Sequence, residues 1–265
     1  MFSVKLKKMK GIGFYFDKAV NTYEKAGNIQ KKVAIKLVQS VKEGFYPTVV
    51  EIGSGKGFIT DLLIKKISYN QYINIDISYE FLKRLKSRFS EKYIFINAKA
   101  EQLPLKKSIA NLIVSSSSLH WIEEPERVFK ELFNLIEVNG RFYFSIFLSG
   151  SLAELKKASE VSNFGSVFPL KSSEFYIDLL NSINCIKWRF SIETYRETFP
   201  TVRDFLLSHK LTGTNFTKDK KFSGKESYAK FCTIYKEMFS NHEGVYATYE
   251  VLFIEGQKVS PCLQY

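Results

Sequence analysis

Val49-Val50-Glu51-Ile52-Gly53-Ser54-Gly55-Lys56-Gly57-Phe58-Ile59-Thr60 is the stretch on which the fold turns. A short apolar run of strand character closes on an acid. Three glycines follow on alternate positions, and an apolar stretch compatible with a helix resumes at Phe58. Glycine lacks a Cβ, so a backbone can turn sharply there and pass close to a ligand. The spacing excludes two common nucleotide loops. A G-x-G-x-x-G fingerprint needs its third glycine at Phe58; a Walker A loop needs glycine at Val50 and Ser or Thr at Gly57. A strand–turn–helix unit remains, either a bare tight turn or a cradle for a ligand, and the flanking sequence decides between them.

Outward from this loop, strands and helices alternate. Asn28 to Glu43 has apolar residues at Ile29, Val33, Ile35, Leu37, Val38 and Val41, close to helical period. Val49–Ile52 reads as a buried strand, Thr60–Lys66 as a helix, and Tyr72–Ile75 as a second strand ending in Asp76. Ser78 suits the N-cap of a helix running to about Phe89, with Phe81, Leu82 and Leu85 on one face. Tyr93–Ala98 and Leu112–Ser116 are the third and fourth strands. Pro125 opens a helix that Asn139-Gly140 is expected to end, and Arg141–Leu148 is the fifth strand. Such alternation predicts a parallel sheet covered on both faces, with a ligand at the carboxyl ends of the first strands. After Ser149 the pattern changes. Leu152–Val161, Ser172–Ile183, Val202–Leu211 and Glu226–Phe239 read as helices, while Ile186–Glu197 and Val245–Gly256 read as long strands forming an antiparallel ending. The expected division is a helical cap over 1–44, a core over 45–150, a helical lid with strand six over 151–240, and a terminal strand over 241–265.

Composition narrows the function classes. No apolar run approaches the ~20 residues that span a membrane, and Met1–Lys10 has no continuous apolar segment of the secretory kind. Cys185, Cys232 and Cys262 are too far apart to suggest a disulfide framework or a metal knuckle, and His120, His209 and His242 are scattered. A reducing cytoplasmic setting, no metal and no membrane association are expected. The formal net charge is +12. Its lysines are dispersed in pairs such as Lys7-Lys8, Lys65-Lys66, Lys156-Lys157 and Lys220-Lys221, and no block reaches about five like charges. An acidic protein partner fits this surface; nucleic acid is not expected, and the chain is taken as a monomer.

Glu51-x-Gly53-x-Gly55-x-Gly57, with Asp76 at the end of the second strand, resembles the S-adenosylmethionine loop of class I methyltransferases. The resemblance implies a Rossmann-like seven-stranded sheet with an N-terminal helix and a helical lid insertion. It places Gly53, Gly55 and Gly57 against the methionine part of the cofactor and Glu51 beside its amino group. Asp76 would accept the ribose hydroxyls, although an acid there also serves as a helix cap. Ala98-Lys99-Ala100-Glu101-Gln102-Leu103-Pro104-Leu105 resembles the G-D-x-E-x-L-P segment of the same enzymes, making Ala100 and Glu101 adenine-side positions. Lys99 stands where the family has the aspartate that receives the adenine amino group, and lysine cannot accept a hydrogen bond. Ser116, within Ser115–Ser118, lies where the reacting methyl would be. His120, next to Trp121, reads as a packing residue at a helix start or as a base.

Segments outside the core narrow the resemblance to the malonyl-acyl-carrier-protein O-methyltransferases of biotin synthesis. Phe16-Asp17-Lys18-Ala19 with Tyr23 is similar to that family's opening, and Ser145–Leu155 to its fifth-strand ending. His209–Thr214 is similar to its lid segment, and Tyr246–Glu250 to its final strand, with Ala247 for a proline. The implied reaction methylates the free carboxylate of malonyl on acyl carrier protein, using S-adenosylmethionine. A carboxylate is ionised at pH 7, so no general base is required. Tyr23, Lys156 and Lys210 are the substrate-side, catalytic candidates, with a lid lysine expected to pair with the incoming carboxylate. The competing readings are another small-molecule methyltransferase and a non-catalytic binder on the same fold.

Overall fold

In a computed structural model, the described residues are 11–89, 92–215 and 224–262. Met1–Lys10 and Lys220-Lys221 lie outside them. Among the described residues, seven strands form the main path of the sheet: β1 (Thr48–Ile52), β2 (Gln71–Asp76), β3 (Tyr93–Asn97), β4 (Ala110–Ser116), β5 (Ile136–Phe147), β6 (Ile186–Phe199) and β7 (Gly244–Lys258). Their order across the sheet is β3-β2-β1-β4-β5-β7-β6. The first five are parallel; β7 runs antiparallel to both β5 and β6. The two-residue strand Ser240–Asn241 pairs with the start of β7.

Among the described residues, ten α-helices flank the sheet: α1 (Ile12–Ala19), α2 (Tyr23–Ala26), α3 (Asn28–Ser40), α4 (Phe58–Leu63), α5 (Tyr79–Lys86), α6 (Pro125–Leu135), α7 (Ala153–Ser162), α8 (Ser173–Asn181), α9 (Val202–Leu211) and α10 (Lys225–Met238). Strand side chains alternate between faces. Val49 therefore joins a core with Val33 and Leu37 of α3, Leu63 of α4, Phe205 of α9 and Phe231 of α10. Val50 and Ile52 join the opposite core with Val128, Phe129, Leu132 and Phe133 of α6 and Leu180 of α8. Both faces are covered, so β1 from Val49 onward is apolar without alternation except at Glu51. Helix starts follow their caps: Ser78 accepts from the Phe81 N–H at 3.2 Å, Thr201 from the Asp204 N–H at 3.1 Å, and Pro125 opens α6 where its missing N–H costs nothing.

Two expectations are corrected here. Asn139-Gly140 does not end a helix. α6 stops at Leu135, and Ile136–Phe147 is one strand in which Asn139 has φ +72°. The register between β4 and β5 slips there, from Ala110 opposite Ile136 to Leu112 opposite Arg141, so the turn-forming pair makes a bulge inside a strand. Second, Cys185 and Cys262, 77 residues apart in sequence, are disulfide-bonded with Cα atoms 5.0 Å apart. Spacing in sequence is silent about this pair because β6 and β7 run antiparallel. Cys185 immediately precedes β6 and the chain leaves β7 at Lys258, which is paired with Ile186. Cys232 is free.

The N-terminal helices are fastened over the sheet's carboxyl end. Asp17 on α1 accepts from the Ser78 hydroxyl at 2.6 Å at the start of α5. The Thr22 hydroxyl donates to Leu211 O at 2.7 Å at the end of α9. Gly213 passes so close that a Cβ there would stand 2.8 Å from Tyr15 O. These contacts close a roof over the ends of β1, β2 and β4.

Candidate active site

A cavity of about 330 Å³ lies beneath that roof. Its floor is the glycine loop after β1, the end of β2, and the Ser116–Ser118 turn after β4. Its walls come from Phe16, Tyr23 and Gln30 of the N-terminal helices, Trp121 and Phe147, the 164–168 loop, Glu197 of β6, Ser208 and His209 of α9, and Tyr249 of β7. Among the described residues, no Lys or Arg lines it.

The glycines have separable roles. Gly53 has φ +72°, and a Cβ on it would fall 2.1 Å from the Ser118 hydroxyl, so this position holds the β1 loop against the β4 turn. Gly55 has φ +49°, and a Cβ there would meet nothing within 4 Å. Only a ligand would be displaced by a side chain at Gly55. Gly57 packs beneath α5 against Leu85 and does not reach the cavity.

Asp76 is joined to this loop. Its carboxylate accepts from the Gly55 N–H and from the Ser78 N–H, each at 2.7 Å. Each oxygen keeps acceptor capacity toward the cavity, which Asp76 lines. Burial pushes its pKa up to about 6 against the two N–H bonds, with a further rise from Asp17. The sequence reading offered a ribose ligand or a helix cap; the geometry combines a capping-type bond to Ser78 with an open acceptor edge. Tyr23 lines the same space, edge-on to Phe81 with centroids 5.3 Å apart. Burial and then the charge of Asp76 raise its hydroxyl pKa, so it is a neutral donor and not a base.

Several expected site residues fall elsewhere. Glu51 shares the parity of Val49 and turns under α4, where it accepts from Thr60 at 2.7 Å and Tyr72 at 2.5 Å. It is 1 % exposed, and burial pushes it up to about 7. Its carboxylate braces the first turn of α4. Ala100 and Glu101 do not line the cavity, and Lys99 is exposed. Lys156 and Lys210 are exposed on the outer faces of α7 and α9; the inner faces present Leu155 and His209 instead. Thus the structure brings together Tyr23, Gly53, Gly55, Asp76 and Ser116, and separates them from Glu51, Gly57, Ala100, Glu101, Lys156 and Lys210.

The sequence reading missed Gln30, Glu197 and the 164–168 loop, whose residue types carry no motif. Burial raises the pKa of Glu197, opposed by a hydrogen bond from Asn28 and the charge of Lys32. His120 is the middle residue of a 3₁₀ turn (Leu119–Trp121) and packs on Trp121 and Phe147. Burial pushes its pKa down to about 3, which makes it a poor base at neutral pH. His209 Nδ1 is 3.2 Å from Phe205 O, so in the neutral ring Nδ1 donates and Nε2 is left as an acceptor. The cavity is therefore apolar, neutral or anionic, with no cation among its described groups.

A sequence family described as a methyltransferase domain matches residues 50–144. The malonyl-[acyl-carrier protein] O-methyltransferase of Bacillus cereus is 27 % identical over 252 residues, covering 90 % of this chain and 93 % of that protein. The protein of the same name from Calditerrivibrio nitroreducens is 28 % identical over 246 residues, covering 90 % and 92 %. Among solved structures, the YcgJ protein of Bacillus subtilis superimposes with a TM-score of 0.63 at 12 % identity, over 86 % of this chain and 99 % of its own, a likeness of fold.

Proposed function

We infer that this chain, a class I S-adenosylmethionine-dependent methyltransferase, methylates the free carboxylate of malonyl carried on acyl carrier protein, giving the methyl ester that enters biotin synthesis. The observation that carries this reading is a convergence. Four segments distant in sequence resemble the malonyl family outside the common core, and all reach one cavity: Phe16 and Tyr23; Ser151, Leu152 and Leu155; His209, Thr212 and Thr214; and Tyr249. The same cavity contains Gly53, Gly55 and Asp76.

The residues fit the cofactor. Open space over Gly55 accommodates the methionine part, and the free acceptor edge of Asp76 suits a ribose diol. When bound, S-adenosylmethionine supplies an electrophilic methyl group on a positively charged sulfur. The chain's own task is then to align and to exclude water. Neither His120 nor Tyr23 acts as a base at pH 7, and a malonyl carboxylate, already ionised, requires none. The reaction cancels a positive and a negative charge, so walls of Phe16, Trp121, Phe147 and Phe168 favour it by withholding solvation from the separated charges. Lys156 and Lys210, exposed outside the cavity, suit docking of an acidic carrier and not a bond to the malonyl carboxylate.

Purified chain with labelled S-adenosylmethionine should methylate malonyl-carrier and leave acetyl-carrier unlabelled. Equal labelling of both, or of neither, refutes the reading.

A further inference from the structure

Among the described residues, six buried side-chain polar atoms have no hydrogen-bond partner, and three belong to cavity-lining residues: Gln30 Oε1, Ser117 Oγ and His120 Nδ1. A buried polar atom without a partner is costly, and one that faces a cavity can be completed by a ligand there. Gln30 Oε1 is an acceptor on α3 and is unsuited to an anion. The other two lie three residues apart on the turn that follows β4. This turn abuts the glycine loop, since a Cβ on Gly53 would strike the Ser118 side chain. Ser117 is held there at φ +53°, in the left-handed region that a serine rarely adopts. Its N–H donates to Ser145 O at 3.0 Å, which fixes the turn while leaving the hydroxyl unspent. His120 is 7 % exposed.

We propose that the Ser117 hydroxyl and the His120 imidazole, with its proton on Nδ1, form the receiving site for the substrate carboxylate, binding the oxygen that does not attack the methyl group. This rests on the reading that the substrate is a malonyl acid. In the transfer, a lone pair of the other carboxylate oxygen forms the O–CH3 bond, the electron pair of the C–S bond stays with sulfur, and no proton moves. The bound oxygen becomes the ester carbonyl, so a neutral donor keeps its acceptor from substrate to product. A lysine or arginine would instead stabilise the ionised acid more than the neutral ester and hold back the reaction. The cavity wall, without Lys or Arg among its described residues, agrees with this division: uncharged donors inside, cations outside.

Ser117→Ala, His120→Leu and His120→Gln are compared in the full chain. The measurements are methyl transfer to malonyl-coenzyme A and malonyl-carrier, with S-adenosylmethionine affinity by calorimetry and folding by circular dichroism. Loss of a hydrogen bond to a charged group should raise KM about tenfold or more in Ser117→Ala and His120→Leu, with a smaller change in kcat. Cofactor affinity should stay within about twofold, and His120→Gln, which retains an N–H donor, should recover most of the loss. Unchanged KM in the first two variants overturns the proposal. So does cofactor affinity that falls in step with activity, or a folded His120→Gln as poor as His120→Leu. If His120→Leu fails to fold, Ser117→Ala decides. An unaltered chain that binds S-adenosylmethionine yet leaves malonyl-carrier unmethylated overturns the substrate reading itself, a result separable from any variant's behaviour.

Discussion

Replacing Asp76 by alanine should separate cofactor affinity from stability. In the folded chain this carboxylate is buried, and its pKa is pushed up to about 6 from the ordinary 3.8. At 1.36 kcal/mol per pKa unit, keeping it ionised at pH 7 costs the fold about 3 kcal/mol. Alanine removes that cost but leaves the Gly55 and Ser78 N–H groups without their 2.7 Å acceptor, at about 1–3 kcal/mol each. The two losses together come to about 2–6 kcal/mol against the roughly 3 recovered, so stability should change by no more than about 3 kcal/mol. Binding has no such compensation. Loss of the acceptor for the ribose hydroxyls should weaken S-adenosylmethionine by about 1.5–3 kcal/mol, or about 10- to 150-fold in Kd. Calorimetry gives the affinity, and urea denaturation of the cofactor-free chain gives the stability. Wild-type affinity would refute the ribose assignment. A destabilisation above about 4 kcal/mol would refute the balance drawn between burial and the two N–H bonds.

Gly55→Val should abolish cofactor binding with the circular dichroism spectrum retained, because φ +49° is hostile to a β-branched residue and its side chain would occupy only ligand space; normal binding sinks that placement. Lys99→Asp should tighten S-adenosylmethionine by about 0.5–1.5 kcal/mol by restoring an acceptor for the adenine amino group, and weaker binding in calorimetry would show that adenine sits elsewhere. Acidity should act in opposite senses on binding and on stability. Below about pH 6 Asp76 protonates and cofactor affinity should fall. Asp76 and Glu51 both have raised pKa values, about 6 and about 7, so the folded cofactor-free chain binds protons that the unfolded chain releases. Their contribution is then fully present below about pH 4 and is lost as pH rises through about 6 and 7, and Glu51→Gln should flatten that slope in Tm measurements. Lys156→Ala and Lys210→Ala should lower kcat/KM on malonyl-carrier at low salt and leave malonyl-coenzyme A turnover unchanged, with the difference vanishing as salt screens charges beyond about 8–10 Å; equal loss on both substrates would put a lysine at the carboxylate.

The linear chain by itself determined the sheet's first half and the floor of the site. Val49–Ile52, the three glycines, Asp76 and the Ser78 cap act within one strand–loop–helix unit, so local rules of backbone freedom, alternation and capping suffice to read them. The outer segments around Phe16, Ser151, His209 and Tyr249 were legible as resemblances, but their meeting in one cavity was not, since it depends on α1 and α9 being tied together through Thr22 and Leu211. Tertiary structure alone decided four further points. Strand parity turned Glu51 away under α4. Helix phase put Leu155 and His209 inside and Lys156 and Lys210 outside. Antiparallel pairing of β6 with β7 brought Cys185 to Cys262. Finally, the β4 turn was pressed against Gly53, leaving Ser117 and His120 with buried polar atoms unpartnered in the cavity wall. Periodicity in a sequence records which way a side chain leaves its own element. What it meets there depends on residues up to two hundred positions away, and that pairing exists only once the chain has folded.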